Sequence, residues 1–506
     1  MSTTKLSKSK ILAFRQCPKK LWLEIHHPSL KEDSAFTQTS FEAGRKVGEI
    51  ARQLFDPKGR GHLVEIGKKG VAQALVKTEE LLTTVNAKTA NPVFEAAFEA
   101  QNTVVFADAI LPQKKLDKLV WRMVEVKAST RVKESHRDDI AVQAYIAKSA
   151  GMKLHSVSIA HIDGEWTYPG ANKFNGLLKE EDFSSEVIER EPEVAEWITK
   201  SMAIAEQPTE PEIATGRQCN SPVVCGFLTY CSKNEVKAQH PINLMPGSGS
   251  PEYKTFIATH GVTELKDVPN KLLSMRQLRV KQHTLNSTTF FDAPAAAAEL
   301  KTYTLPAYFL DFESIQFAIP IWKSTKPYQQ MPFQFSLHTL SKKNELSHQS
   351  FLDLSGKDPS KAFAQALSES LGKTTGPIYV YNAAFERSRI VELATRYALY
   401  REELMALTER LVDLLKVAEK HYYHPDQKGS WSIKKVLPTI APDLRYDALE
   451  GVQDGGMAMT AYAEAIAPTT TPERKAEIEQ QLQKYCELDT LAMVRIWSFF
   501  SGKKLS

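Results

Sequence analysis

The sequence predicts an α/β protein of several domains. Its 506 residues are 42% hydrophobic, which supplies more than one core and exceeds the usual size of a single domain. Two separate stretches mix apolar runs of strand length with helical segments, one over residues 92–170 and one from about residue 303 onward. Between them lies HPINLMPGSGSPEY, whose Pro, Gly and Ser residues mark a loop or linker.

Composition excludes some classes of protein but does not select a function. Lys and Arg total 64 against 60 Asp and Glu, a balance that fits nucleic-acid binding without requiring it. The chain starts with MSTTKLSKSKILAFRQCPKK, which has no signal-like apolar segment, and no later run approaches the roughly 20 apolar residues of a membrane helix. We therefore expect a soluble, cytoplasmic protein. Five cysteines do not suggest a disulfide framework, so metal ligation or isolated buried thiols are expected.

Charged residues alternate with apolar ones in the first α/β stretch, VVFADAILPQKKLDKLVWRMVEVKAST. Asp108 ends one predicted strand, and Glu125 and Lys127 share a face of the next because alternate strand residues point the same way. Asp and Glu can hold a divalent metal, and a nearby lysine can stabilise the charge of an attacked phosphate. The alternative is an ion pair on an exposed strand.

A basic helical hairpin is predicted after the linker. The segment FIATHGVTELKDVPNKLLSMRQLRVKQHTL predicts two short helices around a tight connection. The second helix carries Arg276, Arg279, Lys281 and His283. These side chains would lie along a phosphate backbone, or they would form an ordinary solvated helix face.

Three elements of the second α/β stretch carry carboxylates. AYFLDFES predicts a strand on which Asp311 and Glu313 share a face. IYVYNAAFERSRI predicts a strand and then a helix with Glu386 in its first turn, and YCELDTLAM places Tyr485 and Asp489 at i and i+4 of one helix face. Hard oxygen ligands on such elements suit magnesium or manganese; at a sheet edge the first two carboxylates would instead face water.

This arrangement resembles the DnaQ-like exonucleases of the DEDDy type, which have an RNase H-like fold. In that family a strand D-x-E, an acidic residue after N-x-x-F and a helical Y-x-x-x-D bind two metal ions. The resemblance covers about residues 303–500. It implies that Asp311, Glu313, Glu386 and Asp489 hold Mg²⁺ or Mn²⁺, that Tyr485 orients the attacking water, and that polarity is 3′ to 5′. The family usually has Asp where this chain has Glu386.

In the first stretch, the pattern D-x(n)-E-x-K resembles the signature of PD-(D/E)XK nucleases, which have a restriction-endonuclease-like fold. The resemblance implies catalytic roles for Asp108, Glu125 and Lys127. It also implies that Glu95 is a further metal ligand and that Gln143 contacts substrate, as a glutamine does in RecB-like members. A histidine common in those members is replaced by Gly48, so no histidine ligand is expected.

Four cysteines flank the first stretch. Cys17 precedes it, and Cys219, Cys225 and Cys231 follow it in the spacing C-x5-C-x5-C. One cysteine before and three after resembles the iron–sulfur branch of RecB-like nucleases, which implies a [4Fe-4S] cluster that clamps the two ends of the domain together. Tetrahedral zinc and isolated buried thiols are the alternatives.

The expected organisation is a RecB-like nuclease over residues 1–240, a helical connector over 241–300 and a DnaQ-like exonuclease over 301–506. The segment GSWSIKKVLPTIAPDLRYDALEGVQDGGMA is similar to one in a poorly characterised bacterial family of two-nuclease proteins. The expected activity is metal-dependent hydrolysis of DNA, single-stranded or at duplex ends, in repair or defence, with a helicase or other repair protein as partner. The alternatives are a nucleic-acid-binding scaffold with one or both sites inactive, and an RNA-processing exonuclease.

Overall fold

The protein, described by a computed structural model, divides into two compact units. The first comprises Met1–Glu235 and Phe317–Tyr328, and the second comprises Val236–Gln316 and Gln329–Ser506. The segment predicted to be a connector, 241–300, belongs to the second unit. Mixed sheets combined with many helices confirm the α/β multidomain class. The structure describes residues 5–32, 35–66, 70–83, 85–86, 88–115, 118–233, 235 and 238–504, and for 35–40 it describes the backbone alone.

The first unit is built on one mixed β-sheet. Its strands are β1 (Leu6–Ser7), β2 (His62–Leu63), β3 (Val93–Ala100), β4 (Thr103–Lys115), β5 (Lys118–Lys127), β6 (Leu154–Ile162) and β7 (Leu178–Asp182). Its described helices are α1 (Lys8–Gln16), α2 (Pro18–His26), α3 (Ala35–Phe55), α4 (Val71–Thr83), α5 (Glu134–Ser149), α6 (Ser184–Glu189), α7 (Glu191–Ala205) and α8 (Leu228–Ser232). The strand order is β2-β3-β4-β5-β6-β7, with β1 paired to β4. Strands β3, β4 and β5 are antiparallel, whereas β5 and β6 are parallel and are joined through α5.

The main core of the first unit lies between this sheet and α5. Met123 on β5 and Ile140 on α5 are both fully buried in it. Because alternate strand residues share a face, Glu125 and Lys127 continue the face that Met123 begins. The side chains of Glu125 and Lys127, at the end of β5, therefore point toward α5 rather than toward open solvent.

The second unit contains a five-stranded sheet and a two-stranded one. Its strands are β8 (Phe290–Phe291), β9 (Ala307–Ile315), β10 (Met331–Leu340), β11 (Leu346–Leu352), β12 (Ile378–Val380), β13 (Leu411–Asp413) and β14 (Tyr422–Tyr423). Its described helices are α9 (Pro251–His260), α10 (Met275–Leu285), α11 (Ala293–Lys301), α12 (Ser360–Leu371), α13 (Ala384–Arg396), α14 (Arg401–Thr408), α15 (Leu414–His421), α16 (Ile433–Ile440), α17 (Gly455–Ala465) and α18 (Pro472–Ser501). The order is β11-β10-β9-β12-β13. Strand β10 is antiparallel to β9 and β11, and β12 is parallel to β9 and β13.

The two faces of the five-stranded sheet differ in chemistry. On one face, Leu310 and Phe312 of β9 pack with Phe363 of α12 and Ile390 of α13 in an apolar cluster. The other face carries the carboxylates of β9 and contacts α18. Among the described residues, no helix combines the length and the apolar character that crossing a bilayer requires.

Candidate metal centres

Three carboxylates of the second unit form a compact group. Asp311, Glu313 and Asp489 each offer an oxygen, and these oxygens all lie within 4.8 Å of one another. Glu313 is 8% exposed and Asp489 6%, so the charges are held largely away from water. In the described parts of the chain, no other three His, Cys, Asp or Glu ligands lie so close together. Buried, converging carboxylates of this kind suit a hard divalent cation, which offsets their repulsion.

Polar side chains of β10 place α18 over these carboxylates. Gln334 donates its side-chain amide to the Leu482 carbonyl oxygen at 2.9 Å. The side chains of Ser336 and His338 both hydrogen-bond Thr490 Oγ1, at 2.7 and 2.8 Å. Since Gln334 and Ser336 are paired with Glu313 and Asp311 in the β9–β10 register, these contacts bring α18 onto the face of the sheet that bears the D-x-E motif.

Burial is the main influence on the acidity of this group. It raises the pKa of Asp311 well above its ordinary value, and repulsion from Asp489 and Glu313 adds to the rise. It raises the pKa of Glu313 to about 8, with Asp489 adding. The pKa of Asp489 rises only to about 6, because Tyr446, Lys434 and Tyr485 favour its ionised form. A bound cation would favour the ionised form of all three carboxylates.

Two tyrosines contact Asp489, of which the sequence predicted one. Tyr446 donates its hydroxyl to Asp489 Oδ1 at 2.6 Å, and Tyr485 interacts electrostatically with the same carboxylate. The Lys434 ammonium lies 5.0 Å from the ring centroid of Tyr446 and 5.2 Å from that of Tyr485. Neither Tyr446 nor Lys434 belongs to a sequence motif that predicts a metal site. The only signal for them in the sequence is that the segment GSWSIKKVLPTIAPDLRYDALEGVQDGGMA, which contains both, is similar to one in another family.

Glu386 lies near the compact group but outside it. It occupies the first turn of α13, as predicted, and is 3% exposed. Asp413 holds the turn before this helix by accepting the Asn382 backbone N–H at 3.0 Å. Burial raises the pKa of Glu386 to about 8, and Asp413 adds to the rise. The charge of Glu386 in turn raises the pKa of Asp311 and Glu313, and its Oε2 has no hydrogen-bond partner among the described residues.

The predicted metal ligands of the first unit line one cavity of about 340 Å³. Its walls include Glu95, Asp108, Glu125, Lys127 and, from α3, Gly44, Gly48 and Arg52. Asp108 accepts the Val126 backbone N–H at 2.7 Å. It precedes Ala109, which pairs with Val124 at the end of the β4–β5 ladder, so Asp108 lies opposite Glu125 on the neighbouring strand. Burial raises the pKa of both Asp108 and Glu95, and repulsion from Glu125 adds in each case.

Two lysines share the carboxylates of Glu125 and Asp139 in this unit. Lys127 Nζ lies 2.6 Å from Glu125 Oε1 and also contacts Asp139. Lys8 Nζ lies 2.7 Å from Asp139 Oδ1 and 3.3 Å from Glu125 Oε1. Gln143 donates to Glu125 Oε2 at 2.6 Å and is fully buried. Gln143 thus contacts Glu125 in this structure, and its predicted contact with substrate stays a prediction.

Neither Lys8 nor Asp139 was predicted, because α1 and α5 meet β5 only in the folded chain. Both lysines keep their charge in this site. Burial alone would lower the pKa of Lys127, but the charges of Glu125 and Asp139 raise it above its ordinary value. The same balance raises the pKa of Lys8, and the two cations hold the pKa of Asp139 below its ordinary value against the effect of burial.

The basic residues of α10 bind other parts of the second unit. Arg276 pairs with Glu419 Oε1 at 2.8 Å, and Arg279 donates to the Glu419 carbonyl oxygen at 2.8 Å. Lys281 is 9% exposed and donates to the Val268 carbonyl oxygen at 2.5 Å. The helix lies where it was predicted. In this structure the three cations contact other parts of the second unit, and their predicted phosphate contacts stay a prediction.

The four cysteines predicted to be ligands line one pocket. They are Cys17, Cys219, Cys225 and Cys231, and Lys19 and Lys20 line the same pocket. Gln16 donates to the carbonyl oxygens of Gln218 and Val223, each at 2.7 Å. These hydrogen bonds connect the end of α1 to the second cysteine segment, residues 217–231, which holds the other three cysteines. No three of these sulfur atoms lie within 4.8 Å of one another. Burial raises the pKa of the Cys225 thiol and raises that of Cys231 to about 11, although Lys19 opposes the latter.

Comparisons with known proteins give a match to one family over part of the chain and no function. A family model described as a domain of unknown function, DUF2779, matches residues 308–432. This match contains the D-x-E motif and Glu386 and ends before Tyr485 and Asp489.

The chain is also similar to uncharacterized mycoplasma proteins. The MG366 homolog of Mycoplasma pneumoniae is 29% identical over 210 residues, covering 38% of this chain and 31% of the relative. MG366 of Mycoplasma genitalium is 28% identical over 211 residues with the same coverage. UU173 of Ureaplasma parvum is 26% identical over 219 residues, covering 39% of this chain and 31% of the relative. The matched region thus spans about a third of the length of these relatives, and their names assign no activity.

Proposed function

We propose that this chain is a metal-dependent nuclease with two active sites, one in each unit, and that its substrate is DNA. The observation that carries the proposal is the compact group of Asp311, Glu313 and Asp489. A buried group of three carboxylates is unfavourable without a cation. Divalent cations held by this group would in turn bind a phosphate oxygen and polarise the phosphate.

In the second unit, the proposed activity is that of a DEDDy 3′-to-5′ exonuclease with an RNase H-like fold. The strand order third, second, first, fourth, fifth, with the second antiparallel, is the order expected of that fold. Divalent ions held by such carboxylates supply Lewis acidity and lower the pKa of water. Burial and the charge of Asp489 raise the pKa of Tyr446 and Tyr485, so both hydroxyls stay protonated, hold Asp489 in place and serve as donors. Glu386 supplies a further carboxylate for a second ion.

In the first unit, the proposed activity is that of a PD-(D/E)XK nuclease. Glu95, Asp108 and Glu125 line the cavity and would hold Mg²⁺ or Mn²⁺. Lys127 keeps its proton because Glu125 and Asp139 raise its pKa against burial. It therefore acts as a fixed positive charge toward a phosphate and does not act as a base.

The cysteine pocket would hold a [4Fe-4S] cluster or zinc. Four thiols in one pocket, with two lysines to offset thiolate charge, suit either group. A zinc tetrahedron with bonds of about 2.3 Å needs sulfurs about 3.8 Å apart, closer together than any three of these sulfur atoms lie. The free space of about 10 Å³ in the pocket favours a single ion. Visible absorption and metal analysis of the purified protein separate the two.

One observation favours a second candidate, in which the first unit binds DNA without cutting it. Both oxygens of Glu125 are already engaged, Oε1 by Lys8 and Lys127 and Oε2 by Gln143. A metal would have to displace one of these contacts. In that case the first unit would deliver DNA to the exonuclease site, in repair or defence, with or without a helicase or other repair protein.

The first prediction tests both sites at once. Single-stranded and duplex DNA, labelled separately at each end, is digested with Mn²⁺ by the wild type, Asp311→Asn and Lys127→Met. Each substitution removes a charge that the chemistry needs, so each should reduce its own set of products by at least about 100-fold. Matched RNA, run beside the DNA, reports which polymer is preferred.

Two exposed residues serve as controls for this experiment. Asp426 has an 82% exposed side chain, and Lys118 is exposed on β5. Asp426→Asn and Lys118→Met should cut like the wild type. If only Asp311→Asn loses products, the first unit is a binding domain. If the wild type binds DNA but cuts neither polymer with any metal, the proposal fails.

A further inference from the structure

Lys434 lies beside the carboxylate group of the second unit. It is the second residue of α16, and its Nζ lies over the rings of Tyr446, which donates to Asp489, and of Tyr485. Such cation–π contacts attract a cation through the charge distribution of the ring. The two rings therefore help to hold the ammonium at the edge of the site.

Most of the hydrogen-bonding capacity of Lys434 is unused. An ammonium has three N–H donors, and in the described part of the chain the structure gives this one a single acceptor, the Gln453 carbonyl oxygen at 2.7 Å. The side chain is half-buried, so an external acceptor can reach it. Lys434 also acts on the carboxylate group electrostatically, since its charge lowers the pKa of both Glu313 and Asp489.

An anion that enters this site meets a group of carboxylates and needs positive charge. Metal ions would supply part of that charge, and Lys434 is positioned to supply more. Lysine binds phosphate as a compact point charge with several donors. We propose that Lys434 is a substrate-binding residue that donates to a non-bridging oxygen of a backbone phosphate in the strand held at the second-unit site; this rests on the nuclease function proposed above.

The chain offers a matched control beside this residue. Lys435 follows on α16 and is exposed, so it carries the same charge on the same helix without facing the tyrosines. Lys434→Gln keeps a donor for the Gln453 carbonyl oxygen while it removes the charge. Lys435→Gln removes an equal charge from the full protein, and the melting temperatures of both variants show whether the fold is kept.

The test compares charged and neutral backbones. The substrates are single-stranded oligonucleotides in which one of the last linkages at the 3′ end, taken in turn, is an uncharged methylphosphonate. On the all-phosphate strand, Lys434→Gln should lower kcat/KM about 10- to 100-fold, the usual effect of losing a charge-assisted hydrogen bond, and Lys435→Gln should lower it less than about 3-fold. At one linkage, the neutral substitution should bring the wild type and Lys434→Gln to within about 3-fold of each other, because the contact is then absent from both.

The outcomes separate this inference from the proposed function. If the wild type cuts and Lys434→Gln behaves like Lys435→Gln, Lys434 does not bind substrate although the exonuclease function stands. If Lys434→Gln is slow but the difference persists at every neutral linkage, its role is structural and the inference is again overturned. If the wild type does not cut any strand, the proposed function itself fails. Loss of the difference at a single linkage supports the inference and identifies the phosphate that is bound.

Discussion

Glu313 and Glu386 hold protons that an exposed glutamate would have lost. Burial raises the pKa of each from an ordinary value of 4.5 to about 8. Because these groups ionise at a lower pH in the unfolded chain than in the folded one, folding becomes less favourable as the pH rises. The stabilising contribution is therefore full below pH 4.5 and is lost as the pH rises toward 8. The stability of the second unit should therefore depend on the two species that neutralise these carboxylates, protons and bound cations.

A pH series on the metal-free protein tests this link. With chelator present, the free energy of unfolding of the second unit should fall between pH 5 and pH 8, by about 1.4 kcal/mol per pH unit for each such group. Glu386→Gln should make the fall shallower, and Mn²⁺ should stabilise the wild type more at pH 8 than at pH 5. Glu479 is exposed on α18, so Glu479→Gln should follow the wild-type curve. A flat curve for the wild type would contradict the burial of these carboxylates.

Helix α1 connects two sites of the first unit at its two ends. Lys8 at its start contacts Glu125 and Asp139, and Cys17 follows its end and lines the cysteine pocket. Gln16 donates to two carbonyl oxygens of the second cysteine segment. The position of this one helix therefore affects both the ion network and the pocket.

Gln16→Ala should loosen that connection. It leaves two carbonyl oxygens without their donor, so the free energy of unfolding of the first unit should fall by about 1–3 kcal/mol. Hydrogen exchange of α2 as a function of urea measures this, because Trp22 of α2 packs beside the cysteine pocket. Gln73 is exposed on α4, and Gln73→Ala should stay within about 0.5 kcal/mol of the wild type. Equal stability of the two variants would show that the hydrogen bonds of Gln16 do not anchor α1.

Regular elements were predictable where one local pattern determines them. Strand β9 and helix α18 lie where alternation and helical spacing predict, and their spacing alone put Asp311 with Glu313 and Tyr485 with Asp489. The residues that were missed, and the burial of one that was predicted, depend on contacts between distant elements. Lys8 reaches Glu125 across more than a hundred residues, Tyr446 comes from a short 3-10 helix, and burial of Gln143 follows from packing that no single segment records.

One segment of the chain belongs to a different unit from the residues that flank it in sequence. Residues Phe317–Tyr328 follow β9 of the second unit but belong to the first. In the first unit Ile319 packs with a cluster that contains Val47 and Ile162, and the Tyr328 hydroxyl donates to the Ala128 carbonyl oxygen. A sequence boundary between two domains cannot show this, because hydrophobic periodicity is local whereas this segment completes a core formed much earlier in the chain.

The last prediction concerns this segment, which belongs to the first unit. Ile319→Ala removes apolar contacts from the first unit, so the free energy of unfolding of that unit should fall by about 1–3 kcal/mol, less than for a fully buried isoleucine. Hydrogen exchange should therefore rise in β6, which contains Ile162, and stay unchanged in β10. Ile321 is two residues away and 48% exposed, and Ile321→Ala should change neither strand. If Ile319→Ala speeds exchange in β10 instead, the segment contributes to the unit in which its neighbours in sequence lie, and the division of the chain between the two units is wrong.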